Sequence, residues 1–349
     1  MCKSSKLICF TLCFLCLLIT GCSKNEIIET TYEPEIEIES TEDETEEMEH
    51  EQEDEDNSET SGFPSLTGDY FNQEVPGIVA EIFAPDIVSL ENRLVSQVAY
   101  SPDDNSFYFQ VYSVDYVSTI YYTKRIDGVW TEPVEAPFVI DQNIQLSSIS
   151  PDGKFIYVSS NMRDGDIFKV EITENGFSEL EIEPIPINSD ASDSSYQELA
   201  DGTGYLSSKR EGSNNKDLWF INVLTNGEKE AENLGDVVNS ENLDFSPLIS
   251  PDKSFMIFGS DRFGRSGLAH LYISFVDEDG MWTEPVDLDV SGAEINDNRA
   301  NQSCPALSPD GSYLFFMRHY DMTTRDVYWV DTSFINDIRE IVFTENTEE

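Results

Sequence analysis

Ser150-Pro151-Asp152-Gly153-Lys154-Phe155-Ile156-Tyr157-Val158 (SPDGKFIYV) writes a tight turn followed directly by a strand. Proline presets φ, aspartate caps the backbone ahead of it, and glycine accepts φ > 0. The run behind the turn is aromatic and β-branched, as a strand requires. Related turns stand at Ser101-Pro102-Asp103-Asp104, Ala200-Asp201-Gly202, Ser250-Pro251-Asp252-Lys253 and Ser308-Pro309-Asp310-Gly311. Their starts are about 49, 50, 50 and 58 residues apart. A period of this size marks a repeat architecture.

Each unit reads as four short strands. The first ends at the turn: Leu94–Tyr100, Ile144–Ile149, Ser195–Leu199, Asp244–Ile249 and Gln302–Leu307. The second follows it, as in Phe107–Val111, Phe155–Val158, Phe255–Phe258 and Tyr313–Met317. A polar loop carrying Arg163, Arg210, Arg262 or Arg318 leads to a third strand. These arginines read as structural, each pairing with a nearby aspartate. The fourth strand is marked by WTEPV, present at Trp130–Val134 and again at Trp282–Val286. Gly176-Phe177-Ser178-Glu179 and Gly227-Glu228-Lys229-Glu230 are weaker versions in register. Pro133 and Pro285 cannot donate to a ladder, so this strand belongs at the outer edge. Trp130 and Trp282 are expected to cover the gaps between neighbouring sheets.

Five such units argue an all-β chain folded as a β-propeller of four-stranded blades. The fifth lacks a clean fourth strand, and Asp331–Arg339 after it reads as a short helix capped by Asp331, Thr332 or Ser333. Ile78–Phe83, ahead of the first unit, is a strand without a partner. It is expected to complete the last blade and close the ring, which protects sheet edges. A sixth, degenerate blade built from Gly68–Val88 is the alternative count.

The SPDG turns at Ser150–Gly153 and Ser308–Gly311, followed by Phe155-Ile-Tyr-Val and Tyr313-Leu-Phe-Phe, resemble the WD40-like repeats of TolB-type propellers. Ser260-Asp261-Arg262-Phe263-Gly264 with Leu271-Tyr272-Ile273 is similar to the later half of the same repeat. The resemblance covers roughly residues 75–340. It implies a propeller used as an interaction platform and selects no particular ligand. The third unit departs from it, with Ala200-Asp201 in place of Ser-Pro-Asp.

The N-terminus reads as a targeting segment. Lys3 and Lys6 precede an apolar run, Leu7–Ile19, that is shorter than the ~20 residues a spanning helix needs. It ends Ile19-Thr20-Gly21-Cys22, which resembles a bacterial lipobox and implies lipidation at Cys22. Of the 6 cysteines, four leave with the signal and Cys22 takes the lipid, so Cys304 alone remains in the folded part. It is expected to be a buried small hydrophobe. Between Glu26 and Glu59 lie 18 acids and no Lys or Arg. Such a stretch buries too little to offset chain entropy and extends by self-repulsion. The organisation is therefore a signal peptide over 1–21, a lipidated acidic tether over 22–62, and a propeller over 63–345. The location expected is the cell membrane or outer membrane, on the extracytoplasmic side.

Removing the tether's acids from the total of 69 leaves 51 carboxylates against 17 bases, a charge of roughly −34. This disfavours nucleic acid, and membrane contact other than through the lipid. It suits a cationic partner or Ca²⁺. The residues leading into the innermost strands, Arg93, Asn143, Asp193, Asp244, Arg299, Asn301 and Gln302, are the candidate ligand contacts at a channel mouth. The expected partner is an envelope or extracellular protein or glycan, bound without catalysis. A sialidase-like glycoside hydrolase is the alternative. Against it, SPDG has Asp and Gly adjacent, unlike the sialidase Asp-box, and no carboxylate pair stands out. No Gly-x-Ser-x-Gly elbow is present. His270 and His319 read as satisfied polar side chains, and no metal set is expected. Asp190 with Asp193, and Asp277-Glu278-Asp279-Gly280, are the only oxygen clusters considered for Ca²⁺. The second reads better as a hairpin turn.

Overall fold

The SPD turns form as written. Ser101, Ser150, Ser250 and Ser308 each donate Oγ–H to the aspartate two residues on, at 2.5–2.7 Å. Each Ser Oγ also accepts the backbone N–H that opens the second strand. The position after Asp is left-handed in all four, glycine at Gly153 and Gly311 but Asp104 and Lys253 in the other two. This is a computed structural model, and it describes residues 62–345 except 92, 114, 116, 139–143, 161–164, 263–267 and 322. The signal peptide, Cys22, the tether and Arg163 lie outside the described residues.

The turns join inner to second strands in five antiparallel sheets. Blade 1 comprises Leu94–Tyr100, Ser106–Tyr112, Ser118–Ile126 and Val134–Glu135. Blade 2 comprises Ile144–Ile149, Phe155–Ser160, Asp166–Thr173 and Glu181–Ile182. Blade 3 is Asp193–Glu198, Gly204–Ser208, Asp217–Val223 and Lys229–Asn233. Blade 4 is Asp244–Ile249, Phe255–Ser260, His270–Phe275 and Val286–Asp287. Blade 5 takes three strands from the C-terminal end, Asn301–Leu307, Tyr313–Asp321 and Thr324–Asp331. Its fourth is Glu81–Ile82, paired with Trp329 and Tyr328. The five inner strands touch one another in a closed ring. No sixth sheet forms among the described residues. Leu66–Thr67 instead pairs with Val129–Trp130 of blade 1.

The N-terminal segment is therefore a latch across the seam between blades 5 and 1. Phe83 is fully buried against Phe315 and Trp329 of blade 5 and Phe107 of blade 1. Phe71 packs on Trp130 at 4.7 Å, and the Trp130 indole N–H donates to Gly68 O at 2.7 Å. The Gln73 side chain bonds Ala84 N–H and Ile82 O, fixing the chain on both sides of the short closing strand.

WTEPV divides in two. Val134 and Val286 begin the outer strands, while the tryptophans lie in the return before them. Trp130 faces the seam to blade 5, and Trp282 meets Tyr205 of blade 3 at 6.2 Å. In blade 2, Phe177 does the same task against Tyr122 of blade 1, at 5.0 Å. Each covers the gap to the preceding blade. The C-terminal helix runs Phe334–Glu345, starting later and ending later than expected, and buries Phe334, Ile335, Ile338 and Val342 on blades 4 and 5. Among the described residues no helix is long and apolar enough to cross a membrane.

Two local features depart from expectation. The inner strands of all five blades are bulged, with left-handed residues at Ser195, Ser246 and Cys304. Pro247 and Pro305 follow two of them, where the ladder needs no donor. Cys304 is consequently half-buried rather than buried. In the third turn the element in register with Ser-Pro-Asp-Gly is Leu199-Ala200-Asp201-Gly202. Glu198 pairs with Gly204 as Ile249 pairs with Met256. Leu199 lacks a capping hydroxyl, and Thr203 supplies one to Asp201 instead.

Candidate binding site at the channel mouths

The five inner strands all run in one sense, so the channel has an end where they begin and an end where they reach the SPD turns. The beginning end holds the residues singled out from sequence. Asp193 and Asp244 are fully buried. Arg210 binds Asp193 at 2.6 Å, and Arg262 binds Asp244 at 2.9 Å. The second oxygen of each aspartate takes the N–H and hydroxyl of Ser189 or Ser240. Both arginines also donate to loop carbonyls, Ile187 O and Val238 O. Carboxylate and guanidinium thus lock the loop that enters each blade, and Asp193 keeps no free oxygen for Ca²⁺. Arg318 grips Ile295 O at 2.8 Å from the strand itself, without a carboxylate partner among the described residues.

A second lock was not anticipated. Asn188, Asn239 and Asn296 each bond both backbone groups of one third-strand residue, Ile167, Leu218 and Leu271. The pattern Ile/Val-Asn-Ser/Asp ahead of three inner strands was its sequence signal.

The other candidates serve the scaffold too. Gln302 is fully buried and donates to Asp297 O. Asn301 accepts from Ala269 N–H. Arg93 lies over the Tyr121 ring at 5.0 Å. Arg299 is exposed and pairs with its neighbour Asp297. Asn143 lies outside the described residues. Among the described residues of this set, all are tied into the loop scaffold and Arg299 alone is well exposed. Lys216 sits at the same end, its Nζ donating to Ser194 Oγ at 2.6 Å. Burial, then the neighbouring Lys209, pushes its amine down to about 8. His270 pairs with Asp287 at 3.2 Å, as expected of a satisfied histidine. The Nε2 of His319 is buried without a hydrogen-bond partner, and burial with Arg325 beside it lowers its pKa. Asp277 caps its own hairpin, accepting from Asp279 and Met281 N–H. Among the described residues no group of three His, Cys, Asp or Glu is placed to hold a metal.

The concave surface is at the opposite end. Midway along, the bulges leave a small cavity of about 120 Å³ of mixed lining, with Gln97, Ser147, Ser195 and Ser246 among its polar residues and Val98, Leu248 and Ala306 among its apolar ones. Toward the turns the channel widens into a cavity of about 320 Å³. Its wall includes Tyr100, Ile149, Ile249 and Leu307, the last residues before four of the turns. The prolines Pro102, Pro151, Pro251 and Pro309 form its rim, with Ala200 in the fifth place. In the third blade Glu198 stands where the other four carry an apolar residue. Glu198 accepts from the Tyr157 hydroxyl at 2.9 Å and lies 3.9 Å from Lys229 Nζ. Burial and this carboxylate raise the Tyr157 pKa far above the usual range, so Tyr157 stays a donor. Apolar walls with a few polar groups are what small binding sites are made of.

Turn aspartates surround this mouth. Lys154, then Ser150, hold Asp152 down to about 2, and Lys253, then Thr203, do the same for Asp201. Asp104 is paired with Arg125. Asp103, Asp252 and Asp310 have no cation within ion-pair distance among the described residues, and each is held by its turn serine.

No protein-family model matches the chain, and no curated protein matches it. The chain is similar to several solved structures. TolB from Acinetobacter baumannii aligns over 68% of this chain and 54% of its own, at 16% identity and TM-score 0.41. This chain thus spans about half of that protein. A thermostable family-43 glycoside hydrolase aligns over 67% and 88%, at 10% identity and TM-score 0.43. The β-propeller domain of the Trilobed protease from Pyrococcus furiosus, described as an open velcro topology, aligns over 70% of each chain at 12% identity and TM-score 0.36. These likenesses go no further than the fold, and the five-bladed propeller rests on the sheet pairing given above.

Proposed function

We propose that the protein is a non-enzymatic binding platform, held outside the cell by a lipid on Cys22, with its ligand site at the SPD-turn mouth. The observation that carries this reading is the cavity of about 320 Å³ at that mouth, walled mostly by apolar residues with Gln197, Glu198 and Ser308 among them. Most glycoside hydrolases place two carboxylates about the bond, and sialidases use a tyrosine nucleophile instead. The binding reading is supported by the apolar share of the wall, and the product-release arm of the test below decides between binding and turnover. The acidic tether is read as a stalk that keeps the mouth clear of an anionic membrane.

The test is a thermal-shift and product-release screen of the full-length chain against short peptides and oligosaccharides, repeated on Ala200→Trp. Ala200 is exposed on the rim, so tryptophan there obstructs the cavity without entering a core. Stabilisation without product, lost in Ala200→Trp, is expected. Released sugar, or stabilisation that survives Ala200→Trp, contradicts the reading. Anchoring is tested separately: Cys22→Ala is expected to release the protein from membranes, and continued membrane association sinks that part.

A further inference from the structure

The two ends of the channel differ in how their charges are balanced. Arg93, Lys209, Lys216, Arg318 and Arg325 have no carboxylate within 4.0 Å among the described residues. Arg93 precedes an inner strand, Lys209 and the late second-strand residue Arg318 lie at the end of second strands, and Lys216 and Arg325 open third strands, which places all five at the beginning end. The SPD end also holds two such cations, Lys124 near Asp103 and Asp152 and Arg339 on Ser254, but carboxylates outnumber cations there. Five turns bring six carboxylates to it, Asp103, Asp104, Asp152, Asp201, Asp252 and Asp310. Only Asp104, Asp152 and Asp201 have ion-pair partners there. Outside this ring lie the hairpins that follow the third strands, including the half-buried Asp277 and the exposed Glu278 and Asp279. The negative face encircles the cavity, and Glu198, whose carboxylate accepts from Tyr157 and lies 3.9 Å from Lys229 Nζ, forms part of its wall.

An apolar pit inside an acidic rim selects a ligand that is apolar at its centre and cationic around it. We infer that the SPD mouth binds a lysine- or arginine-rich segment of a protein partner, with an apolar side chain seated in the cavity and a neighbouring cation at Glu198. The volume supports this occupant. At about 320 Å³ the cavity is near the lower end of small-ligand pockets, enough for one or two aliphatic side chains and small for a folded element. The charge supports it as well, because the folded part carries roughly −34 and its field draws cations in. An uncharged glycan would gain nothing from the net negative charge of the rim. This inference rests on the mouth being the binding site.

The test titrates the full-length chain with a fluorescent peptide carrying a central leucine flanked by two lysines on each side. Comparison peptides replace the lysines with glutamate, or the leucine with serine. The leucine–lysine peptide is expected to bind, and both replacements to weaken it about tenfold or more, the lysine replacement most at low salt. Glu198→Gln keeps an acceptor for Tyr157 and is expected to weaken the same peptide severalfold. The pair Asp252→Asn and Asp310→Asn, which keeps the turn hydrogen bonds, is expected to do likewise. Unchanged melting temperatures show that the variants fold. Equal binding of the lysine and glutamate peptides overturns the inference, as does indifference to Glu198→Gln together with the Asp252/Asp310 pair. If these peptides fail but an oligosaccharide binds in a manner lost in Ala200→Trp, the cationic partner is wrong and the mouth stands. If nothing binds at the mouth, both readings fall.

Discussion

Asp244 shows how a polar residue near a channel becomes scaffold. Its carboxylate is fully buried and bonded by Arg262, Ser240 N–H and Ser240 Oγ–H. Removing one partner of such a pair leaves a buried charge, at a cost of ~3–5 kcal/mol. Arg262→Met should therefore lose about that much in chemical denaturation, and Asp244→Asn in the same chain should restore part of it. The turn aspartates behave differently, because they are exposed and tuned by hydrogen bonds. Asp152 is depressed to about 2 from its ordinary 3.8. A depressed carboxylate contributes stability that is present above its unfolded value and lost as pH falls through its folded one. The melting temperature of the wild type should thus fall between about pH 4 and pH 2, and Asp152→Asn should narrow that fall. An identical acid profile in the variant would count against the turn account. Asp193 and Asp244 were legible as polar residues near the channel. That they are enclosed depended on Arg210 and Arg262, residues 17 and 18 positions away in sequence.

Among the elements, the SPD turns and outer strands were readable because their chemistry is local. Proline, aspartate and a left-handed position specify the turn within four residues. The closing role of the N-terminal strand was also readable, since blade 5 lacked a partner for its third strand. The bulges were not read, although Pro247 and Pro305 inside inner strands announced them. The third turn was read one residue out of register, because Ala200 resembled the serine position while Leu199 occupies it. That shift hid Glu198, whose place in the apolar ring is visible only once Gly204 is seen opposite it. The latch gives the sharpest prediction at this scale. Phe83→Ala removes a fully buried ring from the seam, and such truncations cost ~3–5 kcal/mol. Backbone amides of the strand 324–331 should lose hydrogen-exchange protection more than those of blade 3. Uniform loss across all blades would show that the segment is not a seam-specific closure.

For the whole molecule, the ring places its two mouths in different chemical settings. At one, buried Arg–Asp and Asn locks order the loops, and several cations lack carboxylate partners. At the other, identical turns gather prolines around a cavity and carboxylates around the prolines. Repetition explains both: local solutions used in several blades, the SPD turn in four of the five, become circular features. Blade 3 breaks the circle with Glu198, Leu199 and Ala200, and a broken symmetry gives a bound chain one preferred orientation. Composition gave the sign of the field, but only the folded ring separates the two faces. The account places ligand contact at the SPD end, and one measurement addresses that directly. A benzophenone amino acid is introduced at position 200 or at position 299 of the full-length chain in its host, and covalent adducts are identified by mass spectrometry. The account predicts one defined adduct from position 200 and none from position 299. Adducts from position 299 alone, or equal labelling at both, would contradict it.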